Sequence, residues 1–198
     1  MPFWSDDFRS KQLNDPKRQF RFKVEITGID AETGGSLVWY AKAVNKPSFE
    51  ISKGEHTYLN HKFYYPGGVT WNPVTMALVD PRDPDMAATL SDIVTKAGYT
   101  PPSTPNDLGS MSKSRSAGSL GTVYIVQLNG DGEEIEKWTL WNSFITKVDY
   151  GQLQYEGGEG LVEITMDLAY DWARVELIGD NKGSMATGDS GGKEFFRG

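Results

Sequence analysis

The sequence contains no cysteine, and this absence excludes two classes of protein. Disulfide-stapled scaffolds need paired thiols, and cysteine-based zinc sites need thiolates. The sequence also lacks any apolar run that approaches the roughly 20 residues of a membrane helix. We therefore expect no membrane insertion.

An excess of basic residues is absent as well. The 20 Lys and Arg residues are outnumbered by 27 Asp and Glu, for a formal net charge of -7. Proteins that grip nucleic acid by its phosphates carry basic surfaces, so tight DNA or RNA binding is disfavoured. Residues 1–7 lack the basic start and apolar stretch of a signal peptide, and we expect a soluble protein made in the cytoplasm.

Aromatic residues and glycine, by contrast, are frequent: aromatics make up 12% of the chain, and there are 22 glycines. Both suit a β protein with many turns. A chain of 198 residues is long enough for one well-packed core. We predict a polar N-terminal arm over residues 1–18, a single β domain over 19–178 and a Gly/Ser/Asp-rich flexible tail over 179–198.

Several segments alternate apolar and polar residues with a period of two, which predicts half-buried strands. The predicted strands cover residues 19–29, 37–44, 69–79 and 123–128. Residues 48–65 are predicted to form either a second hairpin or a long extended loop. Turns are predicted at 30–35, at Pro66-Gly67-Gly68 and at 129–132, and Pro73 suggests an edge strand or a bulge.

One helix is predicted at about residues 84–97. Asp83 is a suitable N-cap, Pro84 suits the first helical position, and Gly98 is a natural stop. An apolar stripe at helical spacing supports the assignment: Met86, Leu90, Ile93, Val94 and Ala97. The Pro- and Ser-rich residues 99–119 are predicted to be a long loop.

The strongest β signal lies in residues 138–176, which we interpret as two segments joined by a glycine-rich turn at 156–160. The second segment places Val162, Ile164, Met166, Leu168, Tyr170 and Trp172 on one face. Its other face carries Glu163, Thr165, Asp167 and Asp171. This pattern is typical of a strand with one buried and one wet face.

Residues 188–192 match a serine-protease motif, but the rest of the sequence does not support catalysis. Residues 188–192, Gly-Asp-Ser-Gly-Gly, match the surroundings of a serine-protease nucleophile, but only six residues follow them. A nucleophile needs a base and an orienting group on a rigid scaffold. We predict no catalytic residue, and we expect that the protein is not an enzyme.

Possible metal ligands are also better explained by structure. His56 and His61 are five positions apart, which predicts opposite faces of one strand and therefore no shared metal. The acidic residues at 80–85 fit a turn and a helix cap better than a cation site. Residues 129–134 lack the length of a calcium loop. We predict no metal site and no cofactor.

The order of these elements resembles a known family. The C-terminal block contains Trp-x-Leu-Trp-x-x-x-Ile-x-x-Val-x-x-Gly-x-Leu-x-Tyr at 138–155 and Leu-Ala-Tyr-Asp-Trp at 168–172. Before it come an Asn-x-Pro-like first strand at 14–24, an Ala-to-Lys-Pro bend at 41–47 and the Asp-Pro helix. Together these resemble the tail tube proteins of contractile-tailed bacteriophages, including the tube-like proteins of type VI secretion systems.

The resemblance implies an antiparallel β-sandwich or half-barrel with one flanking helix. Six copies would form a ring whose inner strands close into a larger barrel, and the rings would stack into a tube. The implied partners are further copies of the chain, a sheath protein, a tape-measure protein, the baseplate and a tail terminator. DNA would pass through without specific binding, and the protein would lie in the virion tail after assembly in the host cytoplasm.

Two groups of residues are candidates for roles in such a tube. Glu163, Thr165 and Asp167 could face an acidic lumen, or could form an ordinary solvent face. The candidates for inter-subunit anchors are the aromatic residues near the two termini: Phe3, Trp4, Phe195 and Phe196.

Two other functions remain open from the sequence. The first is a tube initiator or terminator at one end of a tail. The second is a sugar-binding virion β-sandwich that uses an aromatic platform, with Trp39, Tyr40, Tyr64, Tyr65 and Trp71 as candidates.

Overall fold

The protein is a two-layered β structure with a long projecting hairpin. The computed structural model describes residues 16–28, 41–83, 85–102, 109–155 and 160–178. Within them lie ten strands: β1 (Phe22–Ile26), β2 (Ala41–Val44), β3 (Ser48–Tyr58), β4 (His61–Asn72), β5 (Val74–Val79), β6 (Val123–Leu128), β7 (Glu134–Trp141), β8 (Phe144–Asp149), β9 (Glu163–Ala169) and β10 (Trp172–Leu177). Two helices complete the described part, α1 (Met86–Lys96) and α2 (Lys113–Leu120).

Two four-stranded antiparallel sheets enclose the core. The first sheet has the strand order β1-β6-β7-β10 and the second the order β2-β5-β9-β8. Their inward faces are apolar, because every second residue of β1, β5 and β9 is a buried aliphatic residue or methionine. The core residues contributed by the sheets include Val24, Ile26, Met76, Leu78, Ile125, Leu140, Ile164, Met166 and Leu168. The predicted mainly β, antiparallel sandwich is confirmed.

The C-terminal block passes twice from one sheet to the other. The predicted continuous segments are wrong at these points, because Asn142-Ser143 separates β7 from β8 and Tyr170-Asp171 separates β9 from β10. Asn142 adopts a positive φ of 53°, which breaks the strand. The Asp171 N–H donates to the Trp141 carbonyl at 3.0 Å and joins the two corners.

These corners correct the predicted faces of the last segment. Trp172 begins β10 and is 41% exposed, so it does not continue the buried face of β9. Asp171 lies at a corner and does not share a strand face with Glu163, Thr165 and Asp167.

Among the described residues, two helices, and not one, flank the sheets. Helix α1 begins at Met86, and its N-cap is Asp85, whose side chain accepts from the Ala88 N–H. The predicted cap at Asp83 is therefore displaced by two positions. Met86, Leu90 and Ile93 are buried in the core, as predicted, and Gly98 has the positive φ of a helix stop.

Helix α2 begins inside residues 99–119, where a loop was predicted, and ends one residue beyond them at Leu120. Its sequence, KSRSAGSL, is rich in poor helix formers. It is held by its surroundings, since Ser112 caps the Arg115 N–H and Leu120 is fully buried. Tertiary burial therefore overrides weak local propensity.

The hairpin that was one of the two alternatives for residues 48–65 is present as β3 and β4, but its turn and length differ from the prediction. The turn falls at Leu59-Asn60, where Leu59 has a φ of 53°. Pro66-Gly67-Gly68, predicted as a turn, lies within β4 and coincides with an irregularity in register. Pro73, predicted within one strand, separates β4 from β5.

Candidate assembly surfaces

The three predicted lumen residues lie together on β9. Glu163, Thr165 and Asp167 alternate with Ile164, Met166 and Leu168, which are all fully buried. They therefore point away from the core, on the outer face of the second sheet. Their role in lining a conduit stays a prediction.

Neighbouring strands bring lysines to this outer face. The Lys42 ammonium pairs with the Glu163 carboxylate, and Lys147 lies opposite Asp167 in register. The Thr75 hydroxyl donates to Asp167 at 2.6 Å. The face is therefore charge-balanced to a large extent, a property that the sequence of β9 alone did not reveal.

The hairpin is the largest exposed feature among the described residues. Every residue of β3 and all but the last two of β4 are exposed. The exposed set includes large apolar side chains: Phe49, Ile51, Tyr58, Leu59, Phe63, Tyr64, Tyr65 and Val69. This many exposed large apolar side chains on one hairpin favour contact with another molecule.

A partly buried ionic cluster around the buried carboxylate of Glu136 holds the base of the hairpin. Lys46, which follows β2, donates to Glu136 and to Gln127, each at 2.6 Å. Lys17, which precedes β1, pairs with the same carboxylate. The Trp138 indole also donates to it, at 2.6 Å. One carboxylate therefore ties the first sheet to both the N-terminal segment and the hairpin.

The electrostatics of Glu136 follow from these contacts. Burial alone would raise the pKa of this carboxyl, whose side chain is 8% exposed. Hydrogen bonds from Lys17, Lys46 and Trp138 outweigh that effect and lower the pKa from 4.5 to about 2. Glu136 is thus charged at neutral pH. The cluster also forms one wall of a cavity of about 650 Å³, which is lined in part by Phe22, Val44 and Trp138.

A second ionic contact anchors α2 to the sheet corners. The Lys113 ammonium donates to the two carboxylate oxygens of Asp171 at 2.7 and 2.8 Å. The Asn142 amide donates to the same carboxylate at 2.8 Å. The hydrogen bonds from Lys113 and Asn142 lower the pKa of Asp171.

The histidine pair is arranged differently from the prediction. His56 and His61 lie on different strands, with His56 opposite Phe63 and His61 opposite Tyr58. The two histidines therefore share one face of the hairpin, at diagonal positions. In the part of the chain that the structure describes, no three His, Asp or Glu side chains come together as a potential metal site.

The predicted aromatic sugar platform is not assembled by the described residues. Tyr64 and Tyr65 are consecutive in β4 and point to opposite faces. Trp71 packs against Tyr170. Trp39 and Tyr40 lie outside the described residues.

The predicted anchors Phe3, Trp4, Phe195 and Phe196 also lie outside the described residues, and their role stays a prediction. Of the two helices in the described ranges, neither is long and apolar enough to span a bilayer.

Comparison with known proteins gives no match at the level of sequence, since no family model and no curated protein matches the chain. Solved structures do match. A chain of the anti-feeding prophage tube-terminating cap superposes with a TM-score of 0.62 at 14% identity, over 90% of this chain and 100% of that chain. This chain and the cap protein share a fold.

Two further structures share this fold. A chain of the six-fold symmetrised anti-feeding prophage baseplate gives a TM-score of 0.58 at 12% identity, over 82% of this chain and 97% of that chain. A chain of the PVC sheath/tube terminator, part of an extracellular contractile injection system, gives a TM-score of 0.58 at 14% identity, over 83% of this chain and 99% of that chain. The resemblance in the order of motifs thus corresponds to a shared fold.

Proposed function

We propose that this protein is a structural subunit of the tube in a contractile tail or injection particle. Copies form rings, hexameric in the simplest case, and the rings stack into a conduit for DNA. The partners of this tube are the sheath, tape-measure, baseplate and terminator proteins. The proposal assigns the chain no catalytic activity and no cofactor, and it places the protein in the tail of a virion or related particle.

The observation that carries the proposal is the exposed hairpin on a tail-tube fold. A monomer would leave the large apolar side chains of β3 and β4 in water. The edge strands of the two sheets, β1 and β10 in the first and β2 and β8 in the second, also have no further partner among the described strands. Unpaired edges and apolar ribbons favour association. Assembly of identical copies covers both.

The ring is supported by the geometry of the second sheet. Its two edges, β2 and β8, lie on opposite sides of the subunit. Contacts between different surfaces of identical copies generate closed rings or helical stacks. The outer face that carries Glu163, Thr165 and Asp167 belongs to this sheet, which makes it the candidate for the lumen wall.

A second candidate is favoured by the comparisons, because the cap and the sheath/tube terminator both belong to the end of a tube by their names. A terminator has this fold but adds no further ring. The two functions differ in one measurable property. A tube subunit forms stacks of many rings, whereas an end component stops at one or two.

The test is assembly of the purified protein over a range of concentrations. We expect sedimentation velocity to show a cooperative transition from monomer to large particles, and negative-stain electron microscopy to show rings and tubes with a central hole. Single rings that never stack would favour the end component. A monomer at all concentrations up to the solubility limit would contradict both.

A further inference from the structure

Both histidines of the chain lie near the tip of the projecting hairpin. His56 belongs to β3 and His61 to β4, and the turn at Leu59-Asn60 joins the two strands. The chain contains no other histidine and no cysteine. Imidazole and thiolate are the side-chain groups that bind zinc, nickel and copper most readily. Every such group of the protein is therefore concentrated in one short stretch of ribbon.

The register of the hairpin places the two imidazoles on one face. His56 lies directly opposite Phe63, and His61 lies directly opposite Tyr58. Opposed residues of an antiparallel pair point to the same side of the ribbon, and so do alternate residues along one strand. The sequence argued against a shared metal because it placed the histidines on opposite faces of one strand, and the register removes that reason.

The separation of the two histidines suits a metal ion held between them. They are diagonal neighbours, and the Cα atoms of such pairs are typically about 7–8 Å apart. Two imidazole side chains, each with a metal–nitrogen bond of about 2.0–2.1 Å, can span this separation. Side chains do reach across a diagonal in this ribbon, because on the opposite face Lys62 donates to Glu55, its diagonal neighbour, at 2.7 Å.

The surroundings leave both imidazoles available to a metal ion. Both side chains are exposed, and neither makes a hydrogen bond, an ion pair or a ring contact with another described residue. The charged side chains nearby, Lys53, Glu55 and Lys62, belong to the opposite face of the ribbon. The histidine face carries only uncharged neighbours in this part of the hairpin: Tyr58, Phe63 and Tyr65. No fixed positive charge on that face therefore repels a cation.

The ribbon around this pair has little other support. Its outer part consists of two strands whose residues are all exposed, and an isolated two-stranded hairpin is only marginally stable in water. On the charged face, the ion pair of Glu55 with Lys62 links the two strands. On the histidine face, the described residues form no ion pair. A metal ion bound by one residue from each strand would supply a link on that face, close to the turn.

We propose that His56 and His61 form a two-histidine site for a divalent transition-metal ion, with Zn²⁺, Ni²⁺ and Cu²⁺ as the ions that suit imidazole ligands. Water completes the coordination, so the ion is exchangeable and is held less tightly than in a closed four-ligand zinc site. The bound ion links β3 to β4 and stabilises the end of the hairpin. Mg²⁺ and Ca²⁺, which prefer oxygen ligands, do not bind there. The site needs only one folded copy, so it is independent of the proposed function.

The first test is isothermal titration calorimetry of the dilute full-length protein, without a histidine tag, with Zn²⁺, Ni²⁺, Cu²⁺ and Mg²⁺ salts. We expect one transition-metal ion per chain, with Cu²⁺ bound most tightly, and no binding of Mg²⁺. The single variants His56→Asn and His61→Asn each leave one imidazole at the site. We expect each of them to weaken binding by at least about 10-fold.

Two exchanges of residues with unchanged composition test whether the shared face matters. The exchange His56→Thr/Thr57→His moves one imidazole to the opposite face, and we expect it to bind as weakly as the single variants. The exchange His56→Phe/Phe63→His keeps both imidazoles on the original face, at alternate positions of β4. We expect this second exchange to bind within about 10-fold of the wild type. Unchanged circular dichroism and melting temperature establish that each variant is folded.

The second test asks whether the ion stabilises the ribbon. Hydrogen exchange of the hairpin amides is measured with and without Zn²⁺ at a large excess over its dissociation constant. An ion that binds only the closed hairpin slows exchange through opening in proportion to its excess, which approaches about 100-fold at 100 times the dissociation constant. We expect amides 56–63 to slow by at least about 10-fold, whereas those of helix α1 are unchanged.

Several results would overturn the inference. Undetectable binding of Zn²⁺, Ni²⁺ and Cu²⁺ excludes the site, and equal affinity in the wild type and the single variants places the ion elsewhere on the chain. Wild-type affinity in His56→Thr/Thr57→His excludes binding by both histidines from one face. A bound ion that leaves the exchange of amides 56–63 unchanged excludes the link between β3 and β4. None of these results bears on whether copies of the chain assemble.

Discussion

Replacement of Glu136 by Gln tests how much the ionic contacts at the base of the hairpin contribute to the stability of the fold. The ionic and hydrogen-bonding contacts lower the pKa of Glu136 from its ordinary value of 4.5 to about 2, which corresponds to about 3 kcal/mol of stability at neutral pH. Lys17 and Lys46 are each 46% exposed and can regain water in the variant. We therefore expect Glu136→Gln to lower the free energy of unfolding by about 2–3 kcal/mol.

The stability difference between wild type and Glu136→Gln should depend on pH in a definite direction. Because the folded-state pKa is lowered, the carboxylate contributes its full stability above the unfolded-state value of 4.5 and loses it as the pH falls toward about 2. The difference in stability between wild type and Glu136→Gln should thus be complete at pH 7. It should shrink by about half at pH 3.

Urea unfolding of dilute protein, followed by tryptophan fluorescence at both pH values, measures this difference. Glu134→Gln is the matched control, since Glu134 lies on the same strand and pairs with Lys23, but its side chain is 35% exposed. We expect the control to cost less than about 1 kcal/mol. The reasoning is refuted if both variants lose the same stability, or if the loss in Glu136→Gln is equal at pH 7 and pH 3.

Three further predictions concern other parts of the fold. Asp171→Asn weakens the contact with Lys113, so hydrogen exchange of amides 113–120 in helix α2 should be faster than in wild type, while exchange in α1 is unchanged. Equal protection of these amides in the wild type and the variant would contradict this. Gly121→Ala should cost about 1–3 kcal/mol, because φ is 71° and a Cβ would lie 2.3 Å from the Thr27 hydroxyl; thermal melting measures it, and an unchanged melting temperature would count against it. Glu163→Lys/Asp167→Lys should leave the subunit folded and able to assemble, but should slow DNA passage in a salt-dependent manner if this face lines the lumen. An ejection rate equal to wild type at all salt concentrations would exclude that role.

Much of the fold could be predicted from local patterns in the sequence. Alternation in β9 places Ile164, Met166 and Leu168 inside, because side-chain direction along a strand depends only on position. The cap-to-stop pattern of α1 is equally local. The turn at 129–132 depends on residue types that tolerate its backbone.

The turn position and register of the β3–β4 hairpin could not be predicted from local sequence patterns. Glycines at 67 and 68 are compatible with either a turn or a bulge, and only the pairing of β4 with β3 selects the bulge. That choice also decides that His56 and His61 share a face. The register of a ribbon is a property of two strands, and neither strand contains it alone.

Long-range contacts decided the rest. Glu136 meets Lys17 and Lys46 across 119 and 90 positions of sequence, and Lys42 meets Glu163 across 121, so no local pattern announces these pairs. Helix α2 is stabilised by the burial of Leu120 in the core. The sequence by itself determined which face of each regular strand is apolar, since that follows from the period of the strand. Only the tertiary structure decided which strands meet and where the chain changes sheets, because both depend on the packing of distant residues.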